Sequence, residues 1–443
     1  MDFLIYYETV QREYENACLI KSELERRGYS VKLCATIYTD YWKSFFYKPK
    51  VNIVHGFYGE SPGHITKLKK KVTTKVVNLQ YEQLVELDED GLPVQMPKED
   101  CKRAYHICWG EAGANNLRKC GVEENHIIEC GPIQFDLVRE EFSKYFYSKE
   151  ELGRQFGIDS QKKWILFISD FAYTSYNGQI IDKNIRKAEV LNYEAKANKL
   201  IMGFIKQFLA KHSDIIYIYR PHPSENIKSE MYELEKEYDN FRCIRELSIK
   251  QWIHVVDKLN TWNSTAIAEA YVCKKNCMVI DIDESEMTED CWNYKIDIIG
   301  KSKAIHTYSE FEKENLNYCN FEPNQFPMDF KQFEAYYGTA WKNEPVYLPL
   351  CDFLERVYRN DSYTEKFSNR KYKEIRMIMI KAFFYSLRGN IRLYTFPIIN
   401  RIFPSKCKPD ERHVLYAPQK LKNIRNRINK YVLELSSKYR ISE

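Results

Sequence analysis

From Ile215 to Tyr219 the chain is an unbroken apolar run, and it stops abruptly at Arg220-Pro221-His222-Pro223-Ser224-Glu225. A short apolar run bounded in this way reads as a strand buried on both faces, the habit of parallel sheets covered by helices. Comparable runs recur at Phe3 to Tyr6, Val31 to Leu33, Val51 to Val54, Lys75 to Leu79, His106 to Trp109, Trp164 to Ile168 and Cys277 to Ile280. Between the first two, residues 14–27 carry a helical pattern that Gly28 closes. This alternation predicts an α/β chain with parallel sheets. We expect two Rossmann-like domains facing a central cleft, at residues 1–140 and 162–360. A charged, partly helical linker at 141–161 joins them, and a basic amphipathic helical extension follows at 361–443.

Ligands of open α/β sheets sit just beyond the carboxyl ends of the strands. Arg220 and His222 occupy such an end, and each flanking proline fixes φ near −65° while restricting the residue before it. A stiffly presented Arg and His suit a phosphate. About forty residues on, in Asn260-Thr261-Trp262-Asn263-Ser264-Thr265-Ala266, Ser264 and Thr265 stand where a helix begins. Hydroxyls and free N–H groups at a helix N-terminus make an anion site, or serve simply as a cap.

These two segments resemble those of bacterial nucleotide-sugar transferases of GT-B fold that carry a His-Pro motif and a later Ser/Thr pair, among them sialyltransferases, Kdo transferases and the glycerophosphate polymerases of teichoic acid synthesis. The chain is also similar to surface carbohydrate biosynthesis proteins, through Tyr7-Glu8-Thr9-Val10-Gln11-Arg12-Glu13, Trp109-Gly110-Glu111 and Gly131-Pro132-Ile133-Gln134-Phe135-Asp136. The resemblance spans residues 1 to about 280. It implies a glycosyltransferase that moves a sugar from a nucleotide-activated donor to a surface polysaccharide or glycolipid acceptor. A CMP-linked donor of the Kdo or sialic type is expected. A CDP-glycerol-type polyol-phosphate transferase and a UDP-GlcNAc 2-epimerase-like enzyme are the alternatives. The resemblance further implies that Arg220, His222, Ser264 and Thr265 hold the donor phosphate and that Glu269 accepts from the ribose.

Acidic residues at strand ends are the candidates for the chemistry. Asp170 follows the run Trp164 to Ile168, where it would attack an anomeric carbon, hold the sugar, or cap the turn that follows. An inverting transferase needs instead a base for the acceptor hydroxyl. Glu8, after the first strand, is the preferred base, with Glu111 and Glu82 as alternatives. Glu8 also stands one helical turn before Arg12, its natural ion-pair partner, and Glu111 opens a helix whose dipole it offsets.

No metal is expected in the chemistry and no cofactor beyond the donor. Asp281-Ile282-Asp283 is the one segment that would compete as a Mg²⁺ site. Thirteen cysteines without regular spacing favour reduced thiols over a disulfide framework, and no spacing suits zinc. Charge is unevenly distributed. Residues 366–443 hold 19 Lys/Arg against 5 Asp/Glu, a charge of +14, so with +5 overall the preceding residues total −9. Apolar residues recur through this stretch, with Leu421, Ile424, Ile428, Tyr431, Val432 and Leu435 at helical spacing. Such a segment either lies on an anionic membrane or packs its stripe on the body, and no recognition motif points to nucleic acid. With no leader-like start and no apolar run near 20 residues, we expect a cytoplasmic enzyme held peripherally at the inner membrane face.

Overall fold

The computed structural model describes residues 1–36, 47–58, 75–84, 93, 95–174, 178–181, 186–223, 225, 229–300, 303–360, 380, 383, 384, 387 and 418–440. They form two compact units, Met1–Gln83 with Gln95–Leu137 and Ala335–Glu443, and Leu84–Val94 with Val138–Glu334. The first is built on β1 (Phe3–Tyr7), β2 (Val31–Ala35), β3 (Val51–Val54), β4 (Lys75–Asn78), β5 (Tyr105–Cys108) and β6 (Ile127–Glu129). Their order is β2-β1-β3-β4-β5-β6, and every pairing is parallel. The second is built on β7 (Lys163–Ile168), β8 (Ile215–Arg220), β9 (Phe241–Cys243), β10 (Lys258–Thr261) and β11 (Cys277–Val279), in the parallel order β11-β10-β7-β8-β9.

Strand order locates where each unit can bind. Strand order reverses direction between β1 and β3 in one sheet and between β7 and β10 in the other. Connections leave such a pair of strands toward opposite sides and open a crevice past their carboxyl ends. The apolar runs of the sequence are these strands because the sheet centres are dry: β1, β3 and β8 are buried throughout. The first helix runs Glu15–Arg26, and Gly28 beyond it takes the left-handed φ of +91° that ends it.

Residues 335–360, expected in the second domain, belong to the first unit. Buried charges hold them there. Both carboxylate oxygens of Asp136 accept from the N-terminus of the helix Tyr347–Arg359, from Val346 N and Tyr347 N at 2.7 Å each. At its other end Lys75 Nζ donates to Val357 O at 2.6 Å and Tyr358 O at 3.2 Å. A negative group at the start and a positive one at the end oppose the helix dipole. The motifs Trp109-Gly110 and Gly131 to Asp136 act here as anchors. Trp109 and Phe135 both stack on Tyr337, at 5.1 and 4.8 Å between centroids. Gly338 N comes so near Gly110 that a Cβ there would lie 2.6 Å from it. The expected linker is also no spacer. From Val138 it belongs to the second unit, where the helix Lys149–Phe156 starts on a Ser148/Glu151 capping box and buries Leu152.

The C-terminal helix, Pro418–Arg440, packs on Glu15–Arg26. Ile428 and Val432 are fully buried and Leu435 nearly so, which accounts for half of the apolar stripe read from the sequence. Most of residues 361–417 lie outside the described residues. Among those described, no helix is long and apolar enough to cross a membrane.

Candidate functional site

The carboxyl edge of the second sheet gathers most of the expected residues. β7 ends at Ile168, and Asp170, with a quarter of its side chain exposed, follows it by two residues. β8 lies next to β7 and leads into Pro221-His222-Pro223. Here the His222 ring is one-third exposed, with Nε2 3.8 Å from Asp170 Oδ1. Glu225 holds this loop. Its backbone N donates to His222 O at 2.9 Å, and its carboxylate accepts from His222 N at 3.0 Å, Ser169 Oγ at 2.7 Å and Tyr219 OH at 2.8 Å. Burial pushes the Glu225 carboxyl up to about 7, against the pull of the Ser169 and Tyr219 hydroxyls.

Asp170 is held well above the ordinary carboxylate range, chiefly by burial and then by the nearby carboxylates Glu194 and Glu225, with Arg186 opposing. Glu194 accepts from Tyr173 N and Thr174 Oγ1, each at 3.0 Å, and is likewise raised by burial. Arg186 lies over the rings of Tyr173 and Tyr294, at 5.1 and 4.6 Å. Sequence reasoning passed over Glu225, Glu194 and Arg186. Glu225 alone had a signal, three residues after a proline-fixed His; the other two sit in no motif.

Arg220 has another task. It is only 6% exposed, and its guanidinium donates to the carbonyls of Ile244, Glu246 and Leu247. Leu247 carries the left-handed φ of +66°, so the buried Arg braces a strained turn after β9 instead of standing open as a phosphate ligand.

β10 ends at Thr261, whose hydroxyl donates to Ile168 O of β7 at 3.2 Å. Ser264 and Thr265 follow at the same edge, both partly exposed, before the helix Ala266–Val272. Ser264 Oγ accepts from Ala266 N at 3.3 Å, and Thr265 makes no side-chain cap. Glu269 lies within that helix, raised by burial and drawn down by Lys250. Asp281 is not placed for Mg²⁺. It is fully buried and accepts from Trp262 Nε1 at 3.0 Å, Tyr193 OH at 2.7 Å and Lys295 Nζ. Asp283 caps its own turn through Ser285 N at 2.9 Å. Among the described residues no group of three His, Cys, Asp or Glu is arranged to hold a metal ion.

In the first unit, Glu8 and His55 follow β1 and β3, the pair at its switch point. Glu8 Oε2 lies 3.5 Å from His55 Nε2 and 3.9 Å from Arg12 Nη2. Arg12 also pairs with buried Glu13 at 3.0 Å and with Glu82. The π-helical turn Val10–Tyr14 carries Glu13 back to accept from Glu8 N at 2.5 Å, and burial raises the Glu13 carboxyl against the pull of Arg12. Glu111 does not join this group. It is 64% exposed and pairs with Arg118 at 3.1 Å on the surface.

No protein-family model matches the chain, and no curated protein matches it by sequence. Solved structures do match. The wall teichoic acid polymerase TagF aligns at a TM-score of 0.51 and 12% identity, over 81% of this chain and 89% of that one. The UDP-GlcNAc 2-epimerase of Methanocaldococcus jannaschii, solved with UDP-GlcNAc and UDP, aligns at 0.50 and 14%, over 80% and 100%. That of Neisseria meningitidis, bound to UDP-GlcNAc, aligns at 0.50 and 13%, over 81% and 100%. The fold is of the GT-B type. Two parallel α/β sheets, each with polar residues past its switch-point strands, make up this GT-B chain.

Proposed function

We propose that this GT-B protein is a glycosyltransferase that takes a sugar from a nucleotide-activated donor and passes it to a bacterial surface polysaccharide or glycolipid acceptor. The observation that carries the reading is the carboxyl edge of the second sheet, where proline-fixed His222 lies 3.8 Å from Asp170 and the strand next to β7 leads to open Ser264 and Thr265. His222, Ser264 and Thr265 bind the donor phosphate and stabilise charge on the departing nucleotide. Asp170 keeps its proton to higher pH than a free carboxyl, which favours donating a hydrogen bond to phosphate or sugar over attacking as a carboxylate. Glu8, set between His55 and Arg12, is the base for the acceptor hydroxyl.

The expected donor is a CMP-linked sugar acid, from which one phosphate leaves. The test is a thermal-shift series with CMP, CDP, UDP and GDP on the parent and on His222→Ala. CMP should raise the parent midpoint, since a ligand at a hundred times its Kd stabilises by ~2.7 kcal/mol. His222→Ala should melt like the parent without ligand, lose the shift, and turn over the responding donor ~10²-fold more slowly. Parent-like turnover in the variant, or a parent that no nucleotide shifts, would overturn the assignment.

A further inference from the structure

The phosphate ligands expected from the sequence lose their permanent cation in the fold. Arg220, which should have supplied it, is occupied by the carbonyls of Ile244, Glu246 and Leu247. Those carbonyls belong to the turn past the carboxyl end of β9, the strand beside β8, so the turn lies at the same sheet edge as His222. Arg245 ties it to the His222 loop by donating to Glu225 O. From the following helix, Ile249–Val255, Trp252 Nε1 donates to Glu246 O at 3.0 Å. The turn that Arg220 braces is therefore fixed against the His222 loop.

Two side chains just past this turn are buried with nothing to bond. Ser248 is 4% exposed, and its Oγ has no hydrogen-bond partner. Lys250 is 2% exposed, yet its ammonium makes no hydrogen bond and no ion pair among the described residues. Other buried side chains of this unit are satisfied. Gln251, next to Lys250, accepts from Tyr147 N at 2.8 Å and donates to Tyr147 O at 3.1 Å. Lys258 and Lys295, as deeply buried, donate to the carbonyls of Glu314 and Asn317 and to the Asp281 carboxylate. The helix of Lys250 packs on Ala266–Val272, and there Lys250 attracts Glu269 without pairing with it. A buried charge is unfavourable unless it is paired, so an ammonium left in this state calls for an anion that arrives with a ligand.

We propose that Lys250 is the cationic ligand of the donor phosphate, in the role that the sequence pattern gives to Arg220. This inference rests on the nucleotide reading of the second sheet's carboxyl edge. The segment that carries Lys250 touches both parts of that edge: Arg245 joins it to the His222 loop, and its helix packs on the one that follows Ser264 and Thr265. A lysine serves phosphate as a point charge on a flexible stem. A ribose hydroxyl would offer it a hydrogen bond but leave its charge uncompensated, which selects the phosphate as the partner. Arg220 thus acts on the donor at one remove, by bracing the turn that presents Lys250.

The test is isothermal calorimetry of the full-length protein with CMP and with UDP, each beside its nucleoside, cytidine or uridine. Lys250→Met keeps the apolar stem and removes the charge. It should weaken nucleotide binding about ten- to hundredfold and leave nucleoside binding as in the parent. Without ligand it should melt no lower than the parent, since the ammonium it removes has no partner. Equal affinity of parent and Lys250→Met for a nucleotide that the parent binds would overturn this inference alone. So would a loss shared by the nucleoside, or a lowered midpoint without ligand, which would make the ammonium structural. A parent that binds neither nucleotide would overturn the nucleotide reading, and this inference with it.

Discussion

Replacing Glu225 by Gln tests the network behind His222 through its pH dependence. The folded protein holds the Glu225 proton up to about pH 7, whereas the unfolded chain releases it near 4.5. This contribution is therefore fully present below pH 4.5 and is lost as pH rises through 7. The difference is about 2.5 units, and at ~1.36 kcal/mol per unit the ceiling is on the order of 3 kcal/mol. Gln has the shape of the protonated side chain and never ionises. With its oxygen at the Oε2 position it still accepts from Ser169 Oγ and His222 N, and its amide nitrogen donates to the Tyr219 hydroxyl, which can turn its own proton to Ser169 Oγ. Relative to the parent, Glu225→Gln should thus gain stability between pH 5 and pH 8, approaching that ceiling, while Asp170 and Glu194 titrate in both proteins. For a unit of this size the gain corresponds to roughly 6–12 °C in the midpoint. Melting curves of both proteins at half-unit pH steps measure it. Parallel profiles across the range would mean that Glu225 does not hold its proton and that the account of the loop is wrong.

Two further outcomes follow from the first unit. Asp136→Ala leaves Val346 N and Tyr347 N buried without their acceptor and should cost ~2–4 kcal/mol in urea unfolding, with Asp136→Asn costing less. Ile428→Ala should cost ~2–4 kcal/mol by the same measurement, because its side chain is fully buried in the interface with Glu15–Arg26; an effect within error would detach the C-terminal helix from the core.

The strands that carry apolar residues on both faces, β1, β3, β7 and β8, were readable because their pattern is uniform. β10 was not, because Lys-Leu-Asn-Thr looks like a loop. It is an interior strand of the sheet, between β11 and β7, because its polar groups find partners there. Asn260 Nδ2 donates to Tyr217 OH at 3.0 Å and Asn315 Oδ1 at 2.9 Å, and Lys258 Nζ to Glu314 O and Asn317 O. Those partners lie more than forty residues away, beyond the reach of any local pattern. A separation of 24 to 27 residues likewise hid the role of Arg220. Its motif read as a ligand site because nothing local reveals that the carbonyls of Ile244, Glu246 and Leu247 would take up the guanidinium. His222, Asp170, Ser264 and Thr265 were legible as strand-end residues, since polar groups in those places have no use in a core.

The return of residues 335–360 to the first unit sets an order of events during synthesis. The ribosome emits the six strands of that unit first, but the partners of Asp136 and Lys75 emerge only 210 and 282 residues later, and Tyr337, which stacks on Trp109, also comes after the whole second unit. Until then a buried carboxylate, a buried ammonium and an indole face lack the groups that neutralise or cover them. The second unit, nearly continuous from Val138 to Glu334, has its main-body partners on hand as soon as it clears the exit tunnel. The half of the protein made first is therefore the half completed last, and its early strands are the ones a chaperone would have to shield.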